Sequence, residues 1–458
     1  MDPGSFRDPS NRVFRRNGAV YRALDRRGAA TWARLAETDF FRRLVADGKV
    51  VATEPADVPP PEGDWELVLA HEPIPVVSYP YEWPFAMLKA AALLQLDVLD
   101  AALAEGWILK DATPYNVQFR GTTPTFIDVG SFEPLGEGDV WMGHRQFLTQ
   151  FLYPLLVAAR TGVPFQPWLR GRTEGIEPAE ADRLLRGRAG WSRDVLLHVR
   201  LVARAERRAS RSDRRVRDDL ARSGFSPELI AANVARLRRA VERLEWRPPS
   251  TGWSGYAERP HVAAQRETKR AFVERHLGAW APRLVWDLGT NDGHFARLAA
   301  RHADRVVALD ADAAVVDDLY RALAAEEVTN VLPLLQDLAD PSPGLGWRRR
   351  ERPPLDERAR PDAVLALAVL HHLVVGRNLP LAEVVAWLGS FDARVVLEWV
   401  PPSDPMVEAL TRNKRAHEVH RDYTEPELRR LLARWFDVVD EVALPDGDRR
   451  CFALVPRT

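Results

Sequence analysis

The chain has 458 residues, a length that predicts two or three domains rather than one. Hydrophobic residues make up 46% and charged residues 28%, a composition typical of globular proteins and unlike that of disordered or membrane chains. The formal net charge of -1 gives no overall attraction to nucleic acid, and the single cysteine, Cys451, excludes an intrachain disulfide and a cysteine-based zinc site.

The N-terminal sequence MDPGSFRDPSNRVFRR lacks the apolar stretch of a secretory signal. The most apolar helical segment, FLTQFLYPLLVAA, is too short to span a bilayer. We therefore expect a cytoplasmic protein that does not insert into membranes. The sequence leaves the oligomeric state open.

The first elements predict a small α+β region. The segment RVFRRNGAVYRAL, Arg12 to Leu24, predicts two strands around an Asn17-Gly18 turn, which is the strongest short hairpin signal. A helical stretch is expected from about Thr31 to Ala46, a strand at WELVLAHE, and a long helix from about Ala86 to Gly106.

Two polar segments follow, ILKDATPYNVQF and TPTFIDVGSF. Asp111 and Asn116 have the spacing D-x-x-x-x-N, and Asp128 begins an Asp-Val-Gly sequence. This pattern resembles the catalytic and metal-binding loops of protein-kinase-like and aminoglycoside-phosphotransferase-like folds. The resemblance implies that Asp111 orients a hydroxyl group and that Asn116 and Asp128 hold Mg²⁺ with bound ATP.

The segment departs from the kinase pattern in several ways. No G-x-G-x-x-G loop or V-A-I-K lysine is evident, and Leu109-Lys110 precedes the first aspartate. A pair formed by Arg22 and Glu37 is a candidate replacement for the usual Lys-Glu pair. We therefore expect a degenerate or substrate-holding kinase-like domain with weak nucleotide binding or none.

The helical pattern after Phe147 continues to about Leu244. Arg200 to Arg222 is dense in arginine, which alone would suggest an RNA-facing surface. Acidic residues at helical spacings favour instead a solvated, salt-bridged helix face; they are Glu206, Asp213, Asp218 and Asp219. Trp246 to Gly255, WRPPSTGWSG, is the best linker candidate. We divide the chain into a kinase-like N-terminal region, 1–165, a helical region that completes its C-lobe, 166–247, and a C-terminal domain, 248–458.

In the C-terminal domain, helices and apolar strands alternate, which predicts an α/β fold with a Rossmann-like, doubly wound parallel sheet. RLVWDLGTNDGHFARLAARH predicts a strand, a tight turn and a helix. Asp287 ends the strand, Gly289 and Gly293 allow close approach of the backbone, and the helix begins near His294.

Polar residues are predicted at the ends of the following strands. Asp310 comes 23 residues after Asp287, where a carboxylate can bind the hydroxyl groups of a ribose. Gln336 and Asp337 end the third strand, where an adenine amino group needs an acceptor, and the fourth strand runs into two histidines. These strand ends are expected to meet at one crevice.

The turn itself distinguishes S-adenosylmethionine (SAM) from a dinucleotide. Dinucleotide sites usually require G-x-G-x-x-G, whereas Asn291 stands at the middle glycine position and Asp292 follows it. An added anion is unfavourable beside a pyrophosphate but is tolerated beside a sulfonium and an ammonium. The turn therefore favours SAM.

The motifs WSGYAERPHVAAQRETKRAFV, VWDLGTNDGHF, LPLLQDLADPSPGLGWRRRERPPL, LALAVLHHLVVGRNLPL and LEWVPPSDPMV resemble those of bacterial methyltransferases related to the nodulation protein NoeA. The resemblance covers most of Trp253 to Arg457 and implies a class I SAM-dependent methyltransferase. It implies that the SAM-binding turn comprises Asp287, Gly289, Asn291 and Gly293. It further implies that Asp310 binds the ribose and Asp337 the adenine.

Candidate groups for the methyl acceptor follow the fourth and fifth strands; they are His371, His372, Glu398 and Asp404. Any of them is a candidate general base for a hydroxyl or amine acceptor. The alternative is that one histidine caps a helix and that Glu398 pairs with an arginine. The loop GLGWRRRER is interpreted either as a lid over the acceptor, through Trp347, Arg350 and Arg352, or as an ordered surface loop.

The leading functional prediction is a SAM-dependent methyltransferase that acts on a small molecule, sugar or peptide, with the kinase-like domain assisting substrate or partner binding. A bifunctional kinase-methyltransferase and a non-catalytic SAM-binding partner module remain alternatives. No NPPY-like motif or cysteine nucleophile is evident, which makes nucleic acid a less favoured acceptor.

Overall fold

The computed structural model describes residues 2–136, 139–209, 227–248, 260–415, 421–445 and 447–457. The chain divides into two compact units. The first contains the described residues up to 248 and the segment Pro343–Pro353; the second contains the other described residues from 260 onward. Two predicted segments lie partly outside the described residues. One is the linker candidate, most of which is not described. The other is the Arg200 to Arg222 segment beyond 209, with Asp213, Asp218 and Asp219.

The first unit is an α+β structure. Its strands are β1 Asn11–Arg16, β2 Ala19–Leu24, β3 Thr53–Pro55, β4 Leu67–His71, β5 Trp107–Leu109, β6 Val117–Arg120, β7 Thr123–Phe126 and β8 Phe132–Pro134. Its helices are α1 Arg26–Leu35, α2 Asp39–Ala46, α3 Phe85–Leu103, α4 His144–Phe147, α5 Tyr153–Thr161, α6 Gln166–Gly171, α7 Pro178–Leu184, α8 Arg193–Val195, α9 Leu201–Ala209 and α10 Pro227–Glu242.

The predicted N-terminal hairpin is present. Asn17 and Gly18 both have positive φ, 52° and 80°, as the tight turn between β1 and β2 requires. The hairpin continues into an antiparallel sheet with the order β1-β2-β4-β3. The helix predicted from Thr31 to Ala46 is two helices, because Thr38 adopts an extended conformation between α1 and α2.

Helix α3 is apolar on most of its surface and contributes many buried side chains to the first unit, including Leu88, Leu96 and Leu99. It contacts α10 and β7 most extensively within this unit. An all-round apolar helix is stable only when other elements surround it, so α3 forms the centre of this core.

The second unit contains a seven-stranded sheet. Its strands are β9 Leu284–Leu288, β10 Arg305–Asp310, β11 Val331–Leu335, β12 Ala363–Ala366, β13 Arg394–Trp399, β14 Phe436–Ala443 and β15 Arg450–Pro456. Its helices are α11 Pro260–Trp280, α12 His294–Ala299, α13 Ala313–Ala325, α14 Leu355–Arg358, α15 Leu381–Ser390, α16 Pro405–Thr411 and α17 Glu425–Leu432.

The strand order is β11-β10-β9-β12-β13-β15-β14. Strands β9 to β13 run parallel, and β15 pairs antiparallel with both β13 and β14. Strands β10 and β11 extend the sheet on one side of β9, and the next strands in the chain, β12 and β13, extend it on the other side. The topological switch point, where open α/β sheets bind ligands, thus lies between β9 and β12. The predicted Rossmann-like α/β fold is confirmed.

Apolar side chains from helices and strands form the core beside this sheet, among them Val273, Val285, Leu323 and Leu365. This core holds the carboxyl ends of β9, β10 and β12 in fixed positions. Among the described residues, no helix is both long and apolar enough to cross a membrane.

Candidate active site

The turn after β9 has the backbone conformation that its sequence predicts. Gly289, Asn291 and Gly293 have φ values of 68°, 48° and 72°, and α12 begins at His294 as predicted. Asparagine tolerates this left-handed region better than most residues, which explains why it can replace a glycine here. The strand ends at Leu288, one residue beyond Asp287.

The two glycines of the turn have different surroundings. A Cβ atom at Gly293 would lie 2.3 Å from Cδ1 of Leu319, so a side chain there would force the Leu319 side chain of α13 to move. A Cβ atom at Gly289 would lie 3.4 Å from Cγ2 of Val369, in the loop after β12. That is an ordinary contact distance, so the positive φ of Gly289, rather than a lack of space, favours glycine at this position.

Asp287 lies beneath the turn and is fully buried, with a relative exposure of 2%. One of its oxygens accepts a hydrogen bond of 2.7 Å from the Thr290 hydroxyl group. Burial, together with the charges of Asp310 and Asp292, raises the pKa of Asp287 to about 7. The strand thus carries an acid that is costly to ionise in the protein alone.

Asp310 ends β10 and connects that strand end to the turn. Its Oδ2 atom accepts a 3.0 Å hydrogen bond from the backbone N–H of Asn291, and Oδ1 accepts one of 2.9 Å from that of Asp312. Burial raises the pKa of Asp310, although these backbone hydrogen bonds oppose the shift. A carboxylate oxygen has two lone pairs, so both oxygens retain acceptor capacity for ribose hydroxyl groups.

Gln336 and Asp337 follow β11 directly. Gln336 is buried, and its backbone N–H donates to the carbonyl oxygen of Asp310 at 2.8 Å. Asp337 accepts a hydrogen bond from the N–H of Ala339 and forms an ion pair with Arg377. The structure therefore brings Asp287, Asn291, Asp310 and Gln336 to neighbouring strand ends, as the sequence predicts.

These residues fit SAM chemically. The charges of Asp310 and Asp292 repel that of Asp287, although Arg266 pairs with Asp292 at 2.7 Å, and a cationic ligand would reduce the repulsion that remains. SAM carries a sulfonium and an ammonium group, whereas a dinucleotide would add two phosphate charges. Asp310 would hold the ribose, the acids near the turn would face the cationic portion, and the bound sulfonium would supply an activated methyl group.

The predicted acceptor side contains a largely buried charge network that joins four parts of the second unit. Nζ of Lys269, from α11, lies 3.1 and 3.0 Å from the two carboxylate oxygens of Glu398 in β13. Arg449 lies 3.3 Å from Glu398 and forms two hydrogen bonds, of 2.7 and 3.0 Å, to Asp404. Asp404 also caps α16 through the N–H of Met406. Glu398 is thus paired with an arginine, as one of the two interpretations predicted, and also with a lysine.

The two histidines lie beyond the end of β12 rather than at its tip, because the strand ends at Ala366. Their ring centroids are 4.1 Å apart. His371 is only 1% exposed, and neither of its ring nitrogens has a hydrogen-bond partner among the described residues. Burial, followed by the charges of His372, Arg449 and Lys269, lowers the pKa of His371 to about 2. Burial and Arg449 also lower the pKa of His372.

In the first unit, the side chains of Asn116 and Asp128 meet, with Nδ2 of Asn116 donating to Oδ2 of Asp128 at 3.3 Å. The other oxygen of Asp128 pairs with Arg22 at 2.9 Å. The proposed Arg22 to Glu37 pair was therefore wrong: β2 directs Arg22 to Asp128 and to the side-chain oxygen of Asn11. Among the described residues, no group of three or more histidine, cysteine or acidic side chains is arranged to hold a metal ion.

Asp111 lies in the same region. Burial and the charge of Asp128 raise its pKa. The neighbouring Lys110 forms a 2.9 Å ion pair with Asp8. A cavity of about 490 Å³ adjoins this cluster, and its walls include Asn11, Trp32, Lys110 and Gly130. The residues of the predicted kinase-like site therefore form a polar, internally paired cluster beside a cavity.

The GLGWRRRER loop, residues 344–352, lies entirely within the segment Pro343–Pro353 that packs in the first unit. The guanidinium of Arg352 lies 5.4 Å from the ring centroid of Tyr115, and Glu351 pairs with Arg7 at 2.8 Å. Trp347 is exposed. The lid function of this loop remains a prediction.

Lys269 and Arg449 were missed by the sequence reasoning. Glu398 was the available signal, because an acid inside the apolar strand sequence VVLEWV requires a buried partner. Its spacing from Lys269 and Arg449 in sequence, 129 and 51 residues, carries no local pattern.

The switch-point site and the sheet with an antiparallel hairpin at one edge define a class I SAM-dependent methyltransferase. The chain belongs to the NoeA family. It is 35% identical to nodulation protein NoeA of Rhizobium meliloti (strain 1021) over 460 residues, which cover 98% of this chain and 94% of that protein. No protein-family profile matches the chain.

Solved structures similar to part of the chain include the N-methyltransferase NodS from Bradyrhizobium japonicum WM9. It is 13% identical, with a TM-score of 0.31, over 44% of this chain and 99% of NodS. Magnesium protoporphyrin IX methyltransferase (ChlM) from Synechocystis PCC 6803 is 19% identical, with a TM-score of 0.31, over 49% of this chain and 95% of ChlM.

Proposed function

We propose that this methyltransferase acts on a small molecule, sugar or peptide and that its N-terminal unit assists in binding the acceptor or a partner. The cluster of Asp287, Asp292 and Asp310 at the switch point is the observation that supports SAM as methyl donor. The charges of Asp310 and Asp292 raise the pKa of Asp287, and a cationic ligand would relieve the repulsion that Arg266 does not already offset at Asp292. Asp310 also retains acceptor capacity for a ribose.

The acceptor is proposed to approach beside β12 and β13. His371 and His372 follow one strand, and Glu398 and Asp404 lie in and after the other. A cavity of about 430 Å³ is lined by residues near the end of β13, including Trp399 and Pro401, and by Arg449. This volume is within the usual range for small-molecule sites, 300 to 1,000 Å³.

The proposed role of the N-terminal unit is substrate holding rather than phosphoryl transfer. Both oxygens of Asp128 already have protein partners, Arg22 and Asn116. Mg²⁺ would have to displace one of them. The adjoining cavity of about 490 Å³ combines aromatic and polar walls, which suits a small polar molecule better than it suits an ion alone.

The test is transfer of a radiolabelled methyl group from SAM by the full-length protein. Bacterial extract is separated into low-molecular-mass, carbohydrate, peptide and RNA fractions before incubation. We expect label in one of the first three fractions, and less of it with Asp310→Ala when SAM is below saturation. Label confined to RNA would contradict the proposed acceptor class. Failure of the full-length protein to bind S-adenosylhomocysteine (SAH) would contradict the methyltransferase assignment itself.

The bifunctional alternative is tested in parallel with ATP labelled at the γ-phosphate. It predicts labelled phosphate in the same fraction that receives the methyl group. Loss of that phosphate label in Asp111→Asn would favour the alternative, whereas its absence in the wild type is expected if Arg22 keeps Asp128 paired.

A further inference from the structure

The charges around His371 restrict what the acceptor can be. Lys269 and Arg449 are both buried, with side-chain exposures of 11% and 10%, and both act on the imidazole electrostatically. Lys269 is paired with the buried Glu398, and Arg449 with Glu398 and with Asp404, which is 11% exposed. The two cations and two anions of this network thus balance one another.

This balance disfavours a charged acceptor. An ammonium ion would need a carboxylate, but those of Glu398 and Asp404 are held by Lys269 and Arg449. A carboxylate acceptor would compete for cations that are already paired, and it has no proton to release on methylation. A neutral acceptor can enter without breaking a buried ion pair, whose loss typically costs about 3 to 5 kcal/mol.

His371 is a buried side chain near this network with unused hydrogen-bonding capacity. It is buried at the loop after β12, and both ring nitrogens lack a hydrogen-bond partner among the described residues. The partly exposed ring of His372 lies beside it, at a centroid separation of 4.1 Å. Buried ring nitrogens normally have a polar partner, so the two unpaired nitrogens of His371 point to a ligand group that would supply one.

We infer that the methyl acceptor is a neutral hydroxyl group and that His371 receives its proton during transfer. This inference rests on the proposed methyltransferase function. The acceptor oxygen forms a bond to the methyl carbon while the carbon–sulfur bond breaks and its electron pair remains on sulfur. The proton of that oxygen passes to a ring nitrogen of His371 and then to solvent.

The chemistry of hydroxyl and alkylammonium acceptors explains why we favour a hydroxyl group. A hydroxyl oxygen becomes strongly acidic once it carries a methyl group, so even a weak base can remove its proton late in the reaction. An alkylammonium acceptor must lose its proton before it can attack. An imidazole beside two buried cations cannot perform that earlier deprotonation, because it binds a proton too weakly.

Other titratable groups face this network from the elements packed against it. Tyr423 donates to the carbonyl oxygen of Val400 at 2.7 Å, and burial raises the pKa of its hydroxyl group well above the usual value. Burial and the charge of Glu398 also raise the pKa of Cys451, while the charges of Lys269 and Arg449 oppose this shift. Neither group is therefore expected to titrate between pH 5 and pH 8.

The first test is an NMR titration of labelled histidine rings in the full-length protein loaded with SAH, between pH 5 and pH 8. His371→Gln assigns the signal, and we expect His371 to remain neutral throughout. Lys269→Met removes one cation and should raise the pKa of His371, which is measured by extending the titration below pH 5. Arg275→Met, an exposed change on the same helix, should not. An imidazolium signal from His371 in the wild type near pH 7 would overturn the inference.

The second test compares cyclohexanol, cyclohexylamine and cyclohexanecarboxylate as acceptors for labelled methyl from SAM. Methyl ether formation supports the inference, with a rate about 100-fold lower in His371→Gln. Label in the amine or the ester overturns it. If none of the three probes reacts, the NMR titration decides. Loss of SAH binding would instead indicate failure of the proposed function, independently of the acceptor.

Discussion

Nη1 of Arg22 lies 2.9 Å from Oδ1 of Asp128, so a guanidinium already occupies one side of the carboxylate that a kinase-like site would use for Mg²⁺. Arg22 is 7% exposed, and Asn11 also accepts a hydrogen bond from it. The pair joins β2 to the loop after β7. Arg22 thus provides the positive charge that a bound metal ion would otherwise place beside Asp128.

We therefore predict that ATP with Mg²⁺ does not raise the thermal midpoint of the full-length protein. A ligand that binds only the folded state would raise it by mass action. SAH serves as the positive control in the same thermal assay. If ATP and Mg²⁺ raise the thermal midpoint of the wild type but not of Asp128→Asn, a metal ion must displace Arg22 from Asp128, and the prediction is wrong.

A second prediction concerns the ribose contact. Asp310→Ala should weaken SAH binding about tenfold or more, equivalent to about 1.4 kcal/mol, because it removes the acceptor at the end of β10. Calorimetry on the full-length protein measures the change. Asp310→Asn retains one oxygen for the N–H of Asn291 and should lose less affinity. Asp318→Ala, an exposed position on α13, is the matched control, and equal affinity in all variants would contradict the assignment.

A third prediction follows from the raised pKa of Asp287. The ordinary value is 3.8 and the folded value is about 7, so the folded protein holds a proton between these limits that the unfolded chain has released. The free energy of unfolding should therefore fall as the pH rises through this window. Asp287→Asn can still accept from the Thr290 hydroxyl group but has no such proton to lose.

Urea denaturation at pH 5 and pH 8 measures this effect. The variant should gain stability relative to the wild type at pH 8, with a smaller difference at pH 5. Asp318→Asn controls for a general loss of negative charge. A stability difference between Asp287→Asn and the wild type that is the same at both pH values would show that the buried carboxyl is not the source.

The sequence predicts the parts of the fold that depend on local chemistry. Asn17-Gly18 identifies the first hairpin, and Asp287, Gly293 and Asp310 identify the cofactor turn, because tight turns and strand ends constrain nearby residues directly. The division between α1 and α2 was missed, since Thr38 interrupts an otherwise continuous helical pattern. Long-range pairs left the weakest signals: Lys269 with Glu398, and Arg22 with Asp128, are formed by tertiary packing alone.

A last prediction concerns the division of the chain. A fragment that begins at Pro248 should fold and bind SAH, because apolar residues of the second unit, such as Val285 and Leu365, form their own core beside the sheet. The segment Pro343–Pro353 packs instead in the first unit, where Arg352 is 9% exposed. In the fragment this segment loses those partners, including Tyr115 and Arg7.

Replacing residues 344–352 by a short Gly-Ser linker in the fragment should therefore leave SAH affinity unchanged and improve solubility. Calorimetry and size-exclusion chromatography compare both fragments with the full-length protein. The replacement keeps Asp337 and the strand end before it, so the proposed adenine contact is preserved in each version. If both fragments are insoluble or fail to bind SAH, the second unit requires the first for folding. If only the replaced fragment fails, the segment contributes to the cofactor site despite packing in the first unit.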